Sequence, residues 1–227
     1  MSKKSRMITQ LKIRRFAAFV LLCCPAFGTT ITVFNTGESS GGPALSPGQA
    51  DTHYSLISAP AGVPLTAIAS SADSAWTADT ATADWINPSG NGGTYEPPGN
   101  YEYQTTFSLA GLEPGTAELN GSWTSDNNAC IYLNGVNTGE CTSDTAYGSL
   151  VPFSITSGFQ SGANTLDFIV DNTLTTPTPT GLIVEVSGTA SATTGVPEPS
   201  SLLLIGTGLL VLKPKPNPTQ SSARTSR

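Results

Sequence analysis

The chain has 227 residues, 23 of them Gly and 17 Pro, with 10 Lys plus Arg, 16 Asp plus Glu, one His and four Cys, which suits one globular domain with appendages and not two domains. No Lys or Arg occurs from Cys23 to Leu212, whereas all 16 carboxylates, Glu38 to Glu198, lie inside that stretch, so the formal charge of −6 conceals a body of −16. Such a body cannot neutralise phosphates, which excludes nucleic-acid binding and argues against nucleotide chemistry, where Lys or Arg clamps phosphate beside a glycine loop.

The chain opens with a basic segment ending at Arg15. The apolar run Phe16 to Cys24 follows, and then Ala26 and Gly28 in a small-x-small pattern. This order predicts a cleavable secretory signal peptide over residues 1–28. Nine apolar residues fall well short of the roughly 20 that a spanning helix needs.

From residue 29 to 190 the prevailing pattern is short alternating runs between turn residues, which predicts antiparallel β structure. Tyr101, Tyr103, Thr105, Phe107 and Leu109 share one face of a strand, and Glu102, Gln104, Thr106 and Ser108 the other. Leu119 with Trp123, Ile131 with Leu133, Leu166 with Phe168 and Val170, and Leu182 with Val184 and Val186 repeat the alternation. Turn signals such as Glu113-Pro114-Gly115, Asn134-Gly135 and Ser161-Gly162 separate them, the spacing of an all-β, antiparallel β-sandwich. Asn134-Gly135 is a hairpin signal, because both residues tolerate positive φ. Thr66 to Ala83, rich in Ala, Ser and Thr, has room for a short helix but lacks an apolar stripe.

Once the signal peptide is removed, Cys130 and Cys141 are the only cysteines left, and an even pair in an exported chain reads as a disulfide. His53, the sole histidine, stands far from either cysteine and reads as an exposed loop residue. No metal site is assigned. Asp126 with neighbouring carbonyls is the place for a structural Ca²⁺, although the D-x-D-x-D spacing of a calcium loop is missing.

Several pieces of the body together resemble galactose-binding-like jelly-roll domains, the β-sandwich used by many accessory modules of carbohydrate-active enzymes. They are Ala83 to Pro88, Tyr101 to Phe107, the Trp123-Thr124-Ser125-Asp126-Asn127-Asn128 corner, Ile131 to Gly135, and Gly162 to Asn172. Two readings of the corner stand side by side. In one, Asp126, Asn127, Asn128, Tyr132 and Asn134 hydrogen-bond sugar hydroxyls, with Trp123 or Tyr132 as an apolar platform. In the other, the same residues form an Asx-type corner over a core Trp123, which alternation places on the Leu119 face.

Residues 191–227 form a proline-bearing linker, an apolar segment and a basic tail. Val196-Pro197-Glu198-Pro199 precedes the apolar run Leu202 to Leu212, which Lys213 closes. This order resembles the PEP-CTERM protein-sorting signal of Gram-negative bacteria, a tail also known as an ice-binding-protein C-terminal domain. The resemblance implies an exosortase-type sorting enzyme as partner, transient residence in the inner membrane, and delivery to the cell surface or exopolysaccharide matrix. The apolar run departs from the pattern in length, since 11 residues give about 17 Å of helix against roughly 30 Å of hydrocarbon.

The sequence therefore predicts an exported PEP-CTERM protein with a non-catalytic β-sandwich that binds a neutral polysaccharide. Two alternatives stay open: a small secreted carboxylate-dependent glycoside hydrolase, since 16 acids supply many chance pairs, and a purely structural or adhesive matrix protein. No nucleophile elbow, zinc triad or His–acid pairing is legible in the sequence.

Overall fold

A computed structural model describes residues 28–40 and 42–193. The predicted signal peptide up to residue 27 and the tail from residue 194, with its Val196 to Pro199 motif, lie outside the described residues.

Eleven strands run in chain order: β1 (Thr29–Ile31), β2 (Ser55–Ser58), β3 (Ile68–Ser70), β4 (Trp85–Asn87), β5 (Gly99–Ser108), β6 (Glu118–Asp126), β7 (Asn128–Leu133), β8 (Val136–Cys141), β9 (Val151–Ile155), β10 (Ala163–Asn172) and β11 (Gly181–Ala190). The helical content of the described residues is two 3-10 turns, Pro114–Thr116 and Ala146–Gly148. Thr66 to Ala83, where the sequence left room for a helix, instead carries β3 and an irregular segment.

The strands form two antiparallel sheets. One has the order β3-β4-β11-β6-β9, with β1 also on β11, and the other the order β2-β5-β10-β7-β8. Counting β4 to β11 as strands one to eight, the sheets read 1-8-3-6 and 2-7-4-5, which is jelly-roll topology. The fold is an all-β, antiparallel jelly-roll sandwich.

The alternation seen in the sequence has a direct cause in the pleat, which sends successive side chains to opposite faces. On β5, Tyr101, Tyr103 and Phe107 are buried, as are Ile131 and Leu133 on β7 and Leu166, Phe168 and Val170 on β10. These meet Leu119, Trp123, Leu182 and Val184 of the other sheet in a single core, with Trp123 and Phe168 rings 5.5 Å apart.

A second, smaller core lies on the far side of the β4-β11-β6 sheet. There Trp76 from the segment before β4 stacks on Trp85 of β4, with ring centroids 4.2 Å apart, and both cover Ile183. Gly181 makes room for them: a Cβ there would meet the Trp76 ring at 2.7 Å. Glu185 fastens the same segment, accepting hydrogen bonds from the Thr80 and Thr82 hydroxyls at 2.6 and 2.8 Å.

Asn134 and Gly135 have φ of 53° and 77°, as the hairpin signal requires. The Cys130–Cys141 disulfide is formed across the β7–β8 pair, its Cα atoms 4.1 Å apart and the two residues directly opposed in register.

Candidate functional site

With Ala129, Ile131 and Leu133 in the core, Asn128, Cys130 and Tyr132 point to the outer face of the five-stranded sheet. The register brings rows of polar side chains together there. One row runs Ser55, Gln104, Asp167, Tyr132, Asn137 across β2, β5, β10, β7 and β8. A second runs Asn100, Asp171, Asn128, and between them lie Glu102, Ile169 and the disulfide.

The face is therefore amphipathic on a small scale. Tyr132, Ile169 and the disulfide form an apolar strip, and amides and carboxylates flank it on both sides. Asp167 is held in place by the Gln104 carboxamide, which donates to its Oδ1 at 2.7 Å. Neighbouring strands are about 4.8 Å apart, so Asn100 and Asn128 stand roughly 10 Å from each other across Asp171.

The five residues singled out in the sequence do not converge on one point. Asn128 and Tyr132 lie on the outer face, and the Asn128 side-chain oxygen is buried without a partner. Asn127, at the corner, accepts the Thr173 N–H at 3.3 Å. Asp126 turns to the other side of the sandwich, where its Oδ2 accepts the Trp76 indole N–H at 2.8 Å, and its backbone carbonyl accepts the Thr180 hydroxyl at 2.6 Å. The corner is thus tied by long-range bonds and not by a local Asx turn.

Asn134 lies six residues along from Asn128, about 20 Å at ~3.4 Å per residue. Its carboxamide donates to Gly158 O at 3.0 Å and Asn164 Oδ1 at 2.9 Å, and accepts the Thr165 N–H at 3.0 Å.

Burial pushes the Asp126 carboxyl up to about 6, opposed by the Trp76 hydrogen bond and reinforced by Asp73. Asp84 also rises to about 6, through burial and then the charge of Asp79. Among the described residues no three His, Cys, Asp or Glu side chains gather as a metal site. His53 differs from the exposed loop residue expected: it is half-buried and stacked on Phe34 at 3.6 Å, with Nε2 buried and unpartnered.

Residues 195–213 match the model of the PEP-CTERM protein-sorting motif. The chain carries that motif. No curated protein matches the chain. Among solved structures it is similar to CBM35 from Paenibacillus barcinonensis, at 19% identity and a TM-score of 0.35 over 61% of this chain and 94% of that one. A family 29 carbohydrate-binding module mutant complexed with mannohexaose matches at 11% identity and a TM-score of 0.36, over 71% of this chain and 93% of that one. The CBM36-1 domain of a multidomain xylanase from the hindgut metagenome of Trinervitermes trinervoides matches at 11% identity and a TM-score of 0.32, over 75% and 100%. The jelly-roll assignment itself rests on the strand order of this chain.

Sequence reasoning had already placed Glu102 and Gln104 on the face opposite the β5 core residues, and the same alternation applies to Asp167 and Asp171. What one sequence lacks is the sheet order, which sets Gln104 and Tyr132 on either side of Asp167.

Proposed function

We propose that this is an exported, non-catalytic β-sandwich protein, sorted through its PEP-CTERM motif to the cell surface or exopolysaccharide matrix of a Gram-negative bacterium, where it holds a neutral glycan. The glycan lies on the outer face of the β2-β5-β10-β7-β8 sheet. The reading rests on one observation, the register that sets Tyr132, Ile169 and the disulfide as an apolar strip between hydrogen-bonding rows. A pyranose presents a C–H face and a rim of hydroxyls, and such a surface matches both.

Asn128 and Tyr132 are the contact residues on this face, with Asn127 at its corner end. Asp126 and Asn134 support it from the two ends of β7, Asp126 through Trp76 and Asn134 through Gly158 and Asn164. An exosortase-type enzyme is the sorting partner, and the inner membrane is a station on the way.

A glycan array with the full chain, followed by calorimetry on the best neutral oligosaccharide, tests the face. Tyr132→Ala and Asn128→Ala should each weaken binding about tenfold; unchanged affinity in both would remove the site from this face. A panel of chromogenic glycosides addresses the hydrolase alternative, and turnover would replace the non-catalytic reading. Epitope tags at both ends address sorting. In a host with a matching exosortase the C-terminal tag should be lost and the N-terminal part appear at the surface, whereas a doubly tagged product would show that the short apolar run no longer sorts.

A further inference from the structure

The two sheets each end in an open edge on the same side of the sandwich. β8 is the last strand of one and β9 the last of the other, and between them lies a cleft of about 250 Å³ beside the Asn134-Gly135 turn. Its apolar part comes from the buried Leu133 and Ile155 and from Val136 at the mouth. Val136 is 68% exposed, an apolar side chain that nothing among the described residues covers.

Part of the polar lining is unspent, although the Thr138 hydroxyl is engaged, donating to Ile131 O at 2.8 Å. The hydroxyls of Thr156 and Ser157 make none of the protein's side-chain hydrogen bonds among the described residues. Asn137 uses only its Oδ1, which accepts the Gly139 N–H at 2.7 Å, so its NH₂ is free. The β9 backbone also faces this side: the Ser154 N–H turns away from β6 toward β8, where it is used by Glu140 Oε1 at 3.3 Å, and the Ser154 carbonyl points the same way. The cleft wall is braced, since Asn134 donates to Gly158 O.

No Lys, Arg, Asp or Glu lines the cleft, and the nearby Glu140 of β8 is engaged with Ser154. The complementary ligand is therefore neutral and rich in hydroxyls, with an apolar side for Val136 and Leu133. Its size follows from the volume, which lies below the roughly 300–1,000 Å³ of sites for drug-sized ligands, enough for a single ring and too little for a chain. We infer that the β8–β9 cleft is a second binding site, separate from the sheet face, that takes one neutral pyranose, either free or as the terminal unit of a glycan. The sheet face would lie along a chain while this cleft reads its end.

The test is a titration of the full chain with methyl β-glucopyranoside, methyl β-galactopyranoside and methyl α-mannopyranoside, followed by backbone amide chemical shifts. At least one glycoside should give saturable shifts confined to Val136 to Thr138 and Ser154 to Gly158, with Kd of about 1 mM, as expected for so small a ligand. Thr156→Val combined with Ser157→Ala should weaken that binding about tenfold, and Val136→Trp, which fills the mouth, should abolish it. Tyr132→Ala should leave it unchanged, so this site and the sheet face fail separately. Absence of saturable shifts at the cleft with all three glycosides at tens of millimolar would overturn the inference, as would shifts on the sheet face alone or undiminished binding by the cleft variants.

Discussion

Asp126 and Asp84 are nearly withdrawn from water, and burial holds both carboxyls near 6, above the ~3.9 of an unfolded aspartate. Because the folded-state value is the higher one, the folded protein takes up protons first as the pH falls. Stability should therefore rise as the pH drops from 7.5 through 6 and level off near 4, each group contributing up to about 2 kcal/mol. Glu185 acts in the opposite sense, because the Thr80 hydroxyl, with Thr82 and Ser122, lowers its value. Its contribution is present above the unfolded value and is lost at more acidic pH, as its lowered folded-state value is crossed. Thermal melts in a pH series should show a maximum on the acid side of neutrality, and Asp84→Asn should flatten the rise between 7.5 and 5. An unaltered slope in that variant would mean Asp84 is not the group involved. At this scale the sequence was least legible. The Trp76–Asp126 bond joins residues 50 apart, and His53 stacks on Phe34, a neighbour that no local pattern connects to it.

β8 is the element that depends most on a single tie. It pairs with β7 alone, carries Gly139 at φ +87°, and leaves Val136, Asn137 and Cys141 exposed. The disulfide, with a sequence separation of 11, closes this hairpin, and loop-closure entropy assigns it about 3 kcal/mol. The paired Cys130→Ser, Cys141→Ser variant should unfold at a lower urea midpoint with a slightly larger m-value, because the opened loop lets the denatured chain expose more surface, and amide exchange should accelerate first in β8. Uniform acceleration through both sheets would show that the hairpin does not open on its own. Elements were the scale at which the sequence spoke clearly. β5, β7, β10 and β11 alternate so regularly because one face of each meets the core, and Asn134-Gly135 has no competing role to disguise its turn. β1, β3 and β4 are three residues each, too short for a period, so no alternation marked β3 or β4 as a strand beside a segment where Trp76 and Trp85 bury a second core.

At the scale of the whole molecule, charge dominates. Fifteen of the 16 carboxylates, all but Glu198, fall among residues 28–193, and no Lys or Arg accompanies them. Self-repulsion of such a body weakens with ionic strength, since the Debye length shrinks from ~30 Å at 0.01 M to ~10 Å at 0.1 M salt. The melting temperature at pH 7.5 should rise over that range, and a flat response would mean that the acids are too dispersed to interact. The same charge decides which polysaccharides the proposed surfaces can hold. Glu102 and Asp171 stand on the sheet face itself beside the buried Asp167, and a uronate or sulfate laid across them would meet carboxylates with no Lys or Arg on the neighbouring strands to offset them. A divalent cation could bridge the two sets of anions. Binding to an anionic glycan such as alginate should therefore be negligible in chelator, appear only with added Ca²⁺, and weaken as salt is raised. Binding to a neutral glycan should be indifferent to chelator and nearly so to salt. Paired calorimetric titrations of the full chain with alginate and with a neutral glucan or galactan, each with Ca²⁺ and with chelator, separate these expectations. Tight alginate binding in chelator that persists once the Lys and Arg residues of the two chain ends are replaced by Ser would contradict the neutral-glycan assignment, because no arrangement of the described side chains supplies the positive charge it requires.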